Sequence, residues 1–254
     1  MNKESDMITH ENSIYHKTIL FGRRSLSRLL LMPEGSLRRV STVSGFVVAM
    51  LLWNHNAFSQ SNRTILDQPI EQQRAVEKII KLGGDWEAPS KTVLIGFDGD
   101  KFTNDTFALL SPLTDLRILF LDEIPADDKA LEHCKELESI EEISITNCRF
   151  NGTGLKHLSK CKGLKTIRFT DTPINDEALE IISKFESLER LFIVNWDLPS
   201  KVTHLGVRKL SVLRKAKQIS IDLTEMPSGF ESDMRRLLPK CDVHIGKHIP
   251  EPKK

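Results

Sequence analysis

The apolar residues of this chain fall into columns that recur every 24 positions. Leu116, Ile140, Leu164 and Leu188 head four successive segments of the form L-x-x-L-x-L: Leu116, Leu119, Leu121; Ile140, Ile143, Ile145; Leu164, Ile167, Phe169; Leu188, Leu191, Ile193. Alternation over the last two places predicts a short strand with one buried face. Three more columns follow: Phe107, Leu131, Leu155, Leu179; then Leu110, Cys134, Leu158, Ile182; then Leu113, Leu137, Cys161, Phe185. Their spacing of three within each unit fits one face of a helix. A unit of strand, loop and helix buries its apolar face only against its neighbours, so the period predicts a solenoid.

The same register extends in both directions. Stepping back 24 from Leu119 and Leu121 reaches Ile95 and Phe97, so TVLIGFDGD reads as an earlier strand. Stepping forward, Leu191 and Ile193 map to Ile219 and Ile221 at 28, which places a four-residue insertion around Asp197 to His204 and makes it the single break in the period. Val207, Leu210, Leu213 and Ala216 resume the helix columns, and Val243 and Ile245 form a terminal strand preceded by a helix carrying Met234 and Leu237.

These segments, LRILFLDEIPADDKALEHCKEL, IEEISITNCRFNGTGLKHLSKC and LKTIRFTDTPINDEALEIISKF, resemble the leucine-rich-repeat family, and within it the ribonuclease-inhibitor-like or cysteine-containing subclass. The resemblance covers roughly residues 91 to 246. It implies an α/β right-handed solenoid of six to seven units, with a curved parallel sheet inside and a full helix outside after each strand. In that family an Asn or Cys beyond the strand bonds the loop backbone; Cys148 fills the place once, with Pro173 and Trp196 near the equivalent positions. The fold hosts many unrelated partners, so it does not by itself imply a function.

Residues 60–90 read as an N-terminal cap. Asp67-Gln68-Pro69 followed by Ile70, Val76, Ile79, Ile80 and Leu82 reads as an amphipathic helix with Asp67 as N-cap, Pro69 in the first turn and Gly83-Gly84 as its stop. A helix ending in Gly-Gly ahead of the first unit is similar to that of short exported bacterial leucine-rich-repeat proteins of the planctomycete type. Residues 1–59 read as a leader: Arg38-Arg39, the apolar run 45–53, and Ala57-Phe58-Ser59 before Gln60 have the order of a signal peptide. The apolar run is shorter than the roughly 20 residues that span a bilayer. Met32 would start a leader of ordinary length. Export to the periplasm, envelope or medium is expected, with an uncleaved N-terminal anchor as the alternative and membrane contact only in that case. Residues 247–254 read as a disordered tail.

The leader holds seven basic and four acidic residues, so the chain's net charge of +1 becomes −2 without it. A near-neutral balance argues against the clustered cationic surface of a nucleic-acid binder. None of the four cysteines stands in a C-x-x-C pair, which argues against zinc. Cys134 and Cys161 lie in helix columns as small core hydrophobes, with a bridge between them the alternative in an oxidising compartment.

Nothing in the pattern requires an enzyme, a cofactor, a metal or a small-molecule substrate. Asp98, Asp100, Asn104 and Asp105 resemble a calcium loop, but Thr103 stands where that loop needs glycine. Asp122, Asp127-Asp128 and Asn175-Asp176 recur just before the helices, which suits turns and N-caps. His133 and His157 repeat at 24 on the outer helix row, where solvation is expected; neither a phosphate loop nor a nucleophile elbow is present.

The concave strand face is what remains. One column there is Gly96, Phe120, Ser144, Arg168, Phe192, Ser220; beside it run Leu94, Ile118, Glu142, Thr166, Arg190, Gln218 and Asp98, Asp122, Thr146, Thr170, Val194, Asp222. Ile118, Phe120, Phe192 and Val194 are large apolar groups at positions expected to be solvated, with Arg168 and Arg190 among them and Trp196 at the insertion beside them. Exposed aromatics with arginine on a rigid sheet are the composition of a protein interface. Two functions follow: a module that binds a protein partner through these residues, or a structural envelope protein that associates with itself through its ends and sides.

Overall fold

The computed structural model describes residues 68–247 apart from 89, 97, 98, 196 and 197. The leader, Asp67, Phe97, Asp98, Trp196 and the tail from 248 lie outside the described residues. Helix α1 (Ile70–Lys81) buries Gln72, Ala75, Val76 and Ile79 and leaves Ile70 and Ile80 exposed. Pro69 stands at the N-cap, outside the helix rather than in its first turn, and supplies no side-chain cap. Gly83 turns the chain at φ 97°. At Gly84 an added Cβ would meet the Ile79 Cγ2 at 2.7 Å, so only glycine lets the chain run back against α1.

That return forms β1 (Gly84–Glu87), a strand the period does not predict, paired antiparallel with β2 (Thr92–Ile95). Six more strands follow in parallel: β3 (Ile118–Asp122), β4 (Glu142–Thr146), β5 (Thr166–Thr170), β6 (Arg190–Val194), β7 (Gln218–Leu223) and β8 (Asp242–Lys247). They lie in chain order in one open eight-stranded sheet. Ile118 pairs with Glu142, Glu142 with Thr166 and Thr166 with Arg190, each a step of 24, whereas Arg190 pairs with Gln218 at 28. The fold is a repeat solenoid of the leucine-rich-repeat kind.

The period breaks twice, not once. β2 pairs with β3 at 26: Val93 opposes Leu119 and Ile95 opposes Leu121, so Thr92 and Leu94, rather than Leu94 and Gly96, extend the concave columns. The two extra residues fall between Ile95 and Phe102, because Phe102 already keeps step with a column running through Ala126, Phe150 and Ile174, all at 3% exposure or less. That column continues at Val202 after the second break. It lines the loop side of the core, with the predicted strand and helix columns filling the rest; Leu116, Ile140, Leu164 and Leu188 are 0–1% exposed. Near the end, Met234 is buried as expected, but Leu238 and not Leu237 accompanies it.

The second layer is thinner than a full helix per unit. Asp105–Leu110, Asp128–Cys134 and Thr153–Leu158 are 3-10 helices; α2 (Asp176–Ile182), α3 (His204–Arg208) and α4 (Phe230–Leu237) are short α-helices. A 3-10 helix rises about 2.0 Å per residue against 1.5 Å in an α-helix. Fewer residues therefore span the same distance, which suits a 24-residue unit. The ribonuclease-inhibitor-like subclass expectation of full helices is corrected accordingly.

Backbone rungs tie unit to unit. Arg117 and Ile118 N–H donate to the Lys91 carbonyl, Glu141 and Glu142 to Arg117, Lys165 and Thr166 to Glu141, and Glu189 and Arg190 to Lys165. At the strand exits Glu123, Asn147 and Asp171 take left-handed φ of 53°, 50° and 45°, which aims their N–H groups at the carbonyls of Thr146, Thr170 and Val194. At the 28-residue step a side chain takes over: Asn195 N–H donates to the Asp222 carboxylate at 3.1 Å. Cys148 Sγ donates to the Thr146 carbonyl, and 24 residues on the Thr172 hydroxyl donates to Thr170, so Thr172 rather than Pro173 continues that column.

The acidic residues before the helices brace turns. Asp127 accepts from Lys129 N–H and Asn175 from Ala178 N–H. Asp128 reaches the next unit, accepting from Asn151 N–H at 2.6 Å and Gly154 N–H at 2.7 Å. Charge also alternates along the lead-in to the strands: Arg117 and Lys165 both pair with Glu141, and Lys217 with Glu189. These exposed pairs each contribute little stability but favour the correct stacking register.

The outer edge of β8 is partly covered from within. Its outward carbonyl at Val243 accepts from Arg235 Nε at 3.1 Å, its outward N–H at Ile245 donates to Glu231 at 3.4 Å, and the two side chains pair at 2.9 Å on α4. An unpaired strand edge is a template for association. Here one ion pair occupies both central positions.

Candidate functional site on the concave face

Alternation in the strands sends Leu119, Leu121 and their counterparts into the core and the residues between them to the opposite face. Register places three rows across that face. The first is Thr92, Ile118, Glu142, Thr166, Arg190, Gln218, Asp242; the second is Leu94, Phe120, Ser144, Arg168, Phe192, Ser220, His244; the third includes Asp122, Thr146, Thr170 and Val194. Ile118, Phe120 and Val194 are half-buried, and Arg190 is exposed.

Phe192 departs from expectation. It is only 7% exposed, and the Arg168 guanidinium lies 4.3 Å from its ring centroid. A cation over an aromatic face is held by the ring quadrupole. Arg168 thereby covers Phe192, so Phe192 acts as a platform and not as a free apolar surface. Burial holds the Arg168 pKa below its ordinary value; Glu142 opposes that shift and Arg190 adds to it. Arg190 is fixed too, donating from Nε (3.1 Å) and Nη2 (2.9 Å) to the Thr166 hydroxyl, which is 1% exposed. Ser144 and Thr146 are buried beside them.

Asp122 closes this face on the β3 side. Burial, and then repulsion from Glu123, raise its pKa to about 6 against a hydrogen bond from Asn147, and its Oδ1 is buried without a partner. Cys134, Cys148 and Cys161 are buried free thiols and Cys241 is half-buried; no Cys134–Cys161 bridge forms. Burial pushes the Cys134 thiol up to about 12 and the other three to about 11, so none is poised as a nucleophile. His133 and His157 are half-buried rather than fully solvated. Among the described residues, no group of three His, Cys, Asp or Glu is placed to hold a metal, and no helix is long and apolar enough to cross a membrane.

Sequence reasoning found Ile118, Phe120, Arg168, Arg190, Phe192 and Val194, and the register brings all six onto one face; Trp196 lies outside the described residues. It missed Thr166 and Asp122 as site components. The polar columns read at the period of the apolar ones carried that signal.

No protein-family model matches the chain, and no curated protein matches it. Among solved structures, the chain is similar to a leucine-rich-repeat protein of Leptospira interrogans, with 14% identity over 54% of this chain and 33% of that one, at a TM-score of 0.38. The matched part thus spans about a third of that neighbour's length.

Proposed function

We propose that this chain is an exported, non-catalytic module that binds a protein partner through its concave face. The observation that carries the reading is the arginine pair on the sheet, Arg168 stacked on Phe192 and Arg190 tied to Thr166, flanked by half-buried Ile118, Phe120 and Val194. Side chains fixed before binding lose little entropy on association, and arginine with aromatic groups dominates interface energetics. Trp196, which follows β6 in the sequence, is included in the proposed surface. The ion pair that covers two outward groups of β8 weighs against the alternative of a structural protein that self-associates end to end through that edge.

The test is capture from envelope extract by the chain without its leader, beside Phe120→Ala and a convex-side control, Lys156→Ala. Retention of a partner by the control and its loss from Phe120→Ala is the expected result. Equal capture by both variants removes the concave face from the account.

A further inference from the structure

We infer that Arg168 and Arg190 recognise a carboxylate carried by an extended segment of the partner, with a large apolar residue about three positions away on that segment. This rests on the concave-face reading above and names the chemistry of its partner.

Several cations pair with a carboxylate of the neighbouring unit. Lys91 pairs with Asp115, Arg117 and Lys165 with Glu141, Lys160 with Glu136, and Lys217 with Glu189. Arg168 and Arg190 have no such partner: among the described residues neither has a carboxylate within ion-pair distance, although they sit on adjacent strands of the concave face and repel each other. A partly buried cation beside a like charge is costly unless an anion completes it. Both guanidiniums are already placed, Arg168 over the Phe192 ring and Arg190 anchored through Nε and Nη2, which leaves Arg168 donors and Arg190 Nη1 for an acceptor. Planar donor groups fixed in this way match a carboxylate.

Charge selects the occupant. Glu142 lies near Arg168, so the two arginines and this glutamate sum to a single positive charge. One carboxylate neutralises that charge; a doubly charged phosphate overshoots it and faces Glu142. The chain's own tail, KHIPEPKK, carries three lysines and one glutamate and has the wrong sign. Phe120 lies two strands from Arg168. At about 4.8 Å per strand and about 3.1 Å per residue of a polyproline-II segment, that separation is about three residues, one turn of that helix, so both side chains face the sheet.

The experiment selects a displayed random dodecapeptide library on the full chain and on Arg168→Gln/Arg190→Gln. Anisotropy titrations follow with the leading peptide and its acid-to-amide counterpart; Arg168→Lys/Arg190→Lys and thermal unfolding verify that the variants fold. Peptides enriched on the parent should carry Asp or Glu with a large apolar residue about three positions away. The amide counterpart should bind the parent roughly tenfold more weakly and bind the glutamine variant no differently from the acid, since a charge-assisted pair is at stake. Enrichment without acidic residues, no enrichment at all, or an equal acid-to-amide effect on parent and variant overturns the inference. If binding depends on Phe120 but not on the arginines, the concave-face reading stands and the carboxylate falls. Indifference to all three residues overturns both.

Discussion

Arg168 and Phe192 occupy paired positions on adjacent strands, and the guanidinium lies 4.3 Å from the ring centroid, shielding one of the two aromatic side chains of the central row. The two aromatic residues of the central row therefore have different roles. Phe192 belongs to the structure, and Phe120 remains half-open.

Phe192→Ala is accordingly expected to lower stability by about 2 kcal/mol, below the roughly 3–5 kcal/mol of a core aromatic because the ring lies on the concave face under an arginine and outside the core. Phe120→Ala should cost under about 1 kcal/mol while removing partner capture. Urea unfolding of the two variants checks the contrast; equal losses would mean that Arg168 does not cover Phe192 in solution.

Gly154 sits where the Asp128 backbone closes onto the next unit. An added Cβ would stand 2.4 Å from the Asp128 carbonyl oxygen. Backbone has to move, so Gly154→Ala should destabilise the chain by about 2–3 kcal/mol. By contrast Gly163→Ala, where the nearest atom is the Glu141 Cγ at 4.0 Å, should change little. Thermal melts of the pair test whether units stack as described.

Asp122 gives the stability a pH signature. Its carboxyl is raised from 3.8 to about 6 in the fold, so between those values the folded state binds more protons than the unfolded state. Stability from this group is present below about pH 4, falls as pH rises through 6 and is level above it. Asp122→Asn should remove that fall, leaving the variant more stable than the parent at pH 7 by about 1–2 kcal/mol once solvent screening is allowed for, with the advantage vanishing near pH 4. Denaturant midpoints across that range report it, and a constant difference would contradict the assignment.

At the other end of the sheet, Glu231→Ala/Arg235→Ala uncovers the Val243 carbonyl and the Ile245 N–H of β8. The variant is expected to associate through that edge at concentrations where the mass of the parent does not change. Sedimentation velocity distinguishes the two; an unchanged variant would show that the ion pair does not guard the edge.

Much of this architecture is written in the period, and its departures have physical reasons. The strand columns are legible because burial every second residue leaves no freedom, as Leu119, Ile143, Ile167 and Leu191 show. Gly84-Asp85-Trp86-Glu87 has too little alternation to announce β1, which the tight turn at Gly83-Gly84 creates. The 26-residue first step is hidden because Val93, Ile95 and Phe97 alternate in the sequence, so Val93 with Ile95 and Ile95 with Phe97 both fit the apolar pattern. Columns at 107, 110 and 113 carry a spacing of three, but 179, 182 and 185 carry it too across the α-helical α2, so the thin second layer is not legible in the columns. The six concave residues follow from alternation alone. The burial of Phe192 does not, because it depends on which side chain lies across the strand boundary.

Photo-crosslinking from position 120 tests the central claim most directly. A benzophenone side chain at Phe120, compared with one at the exposed convex residue Lys156, is irradiated in the presence of envelope extract. The account predicts a discrete protein adduct from position 120, absent from 156 and suppressed in Arg168→Gln/Arg190→Gln. The same adduct from both positions, or from 156 alone, would contradict it.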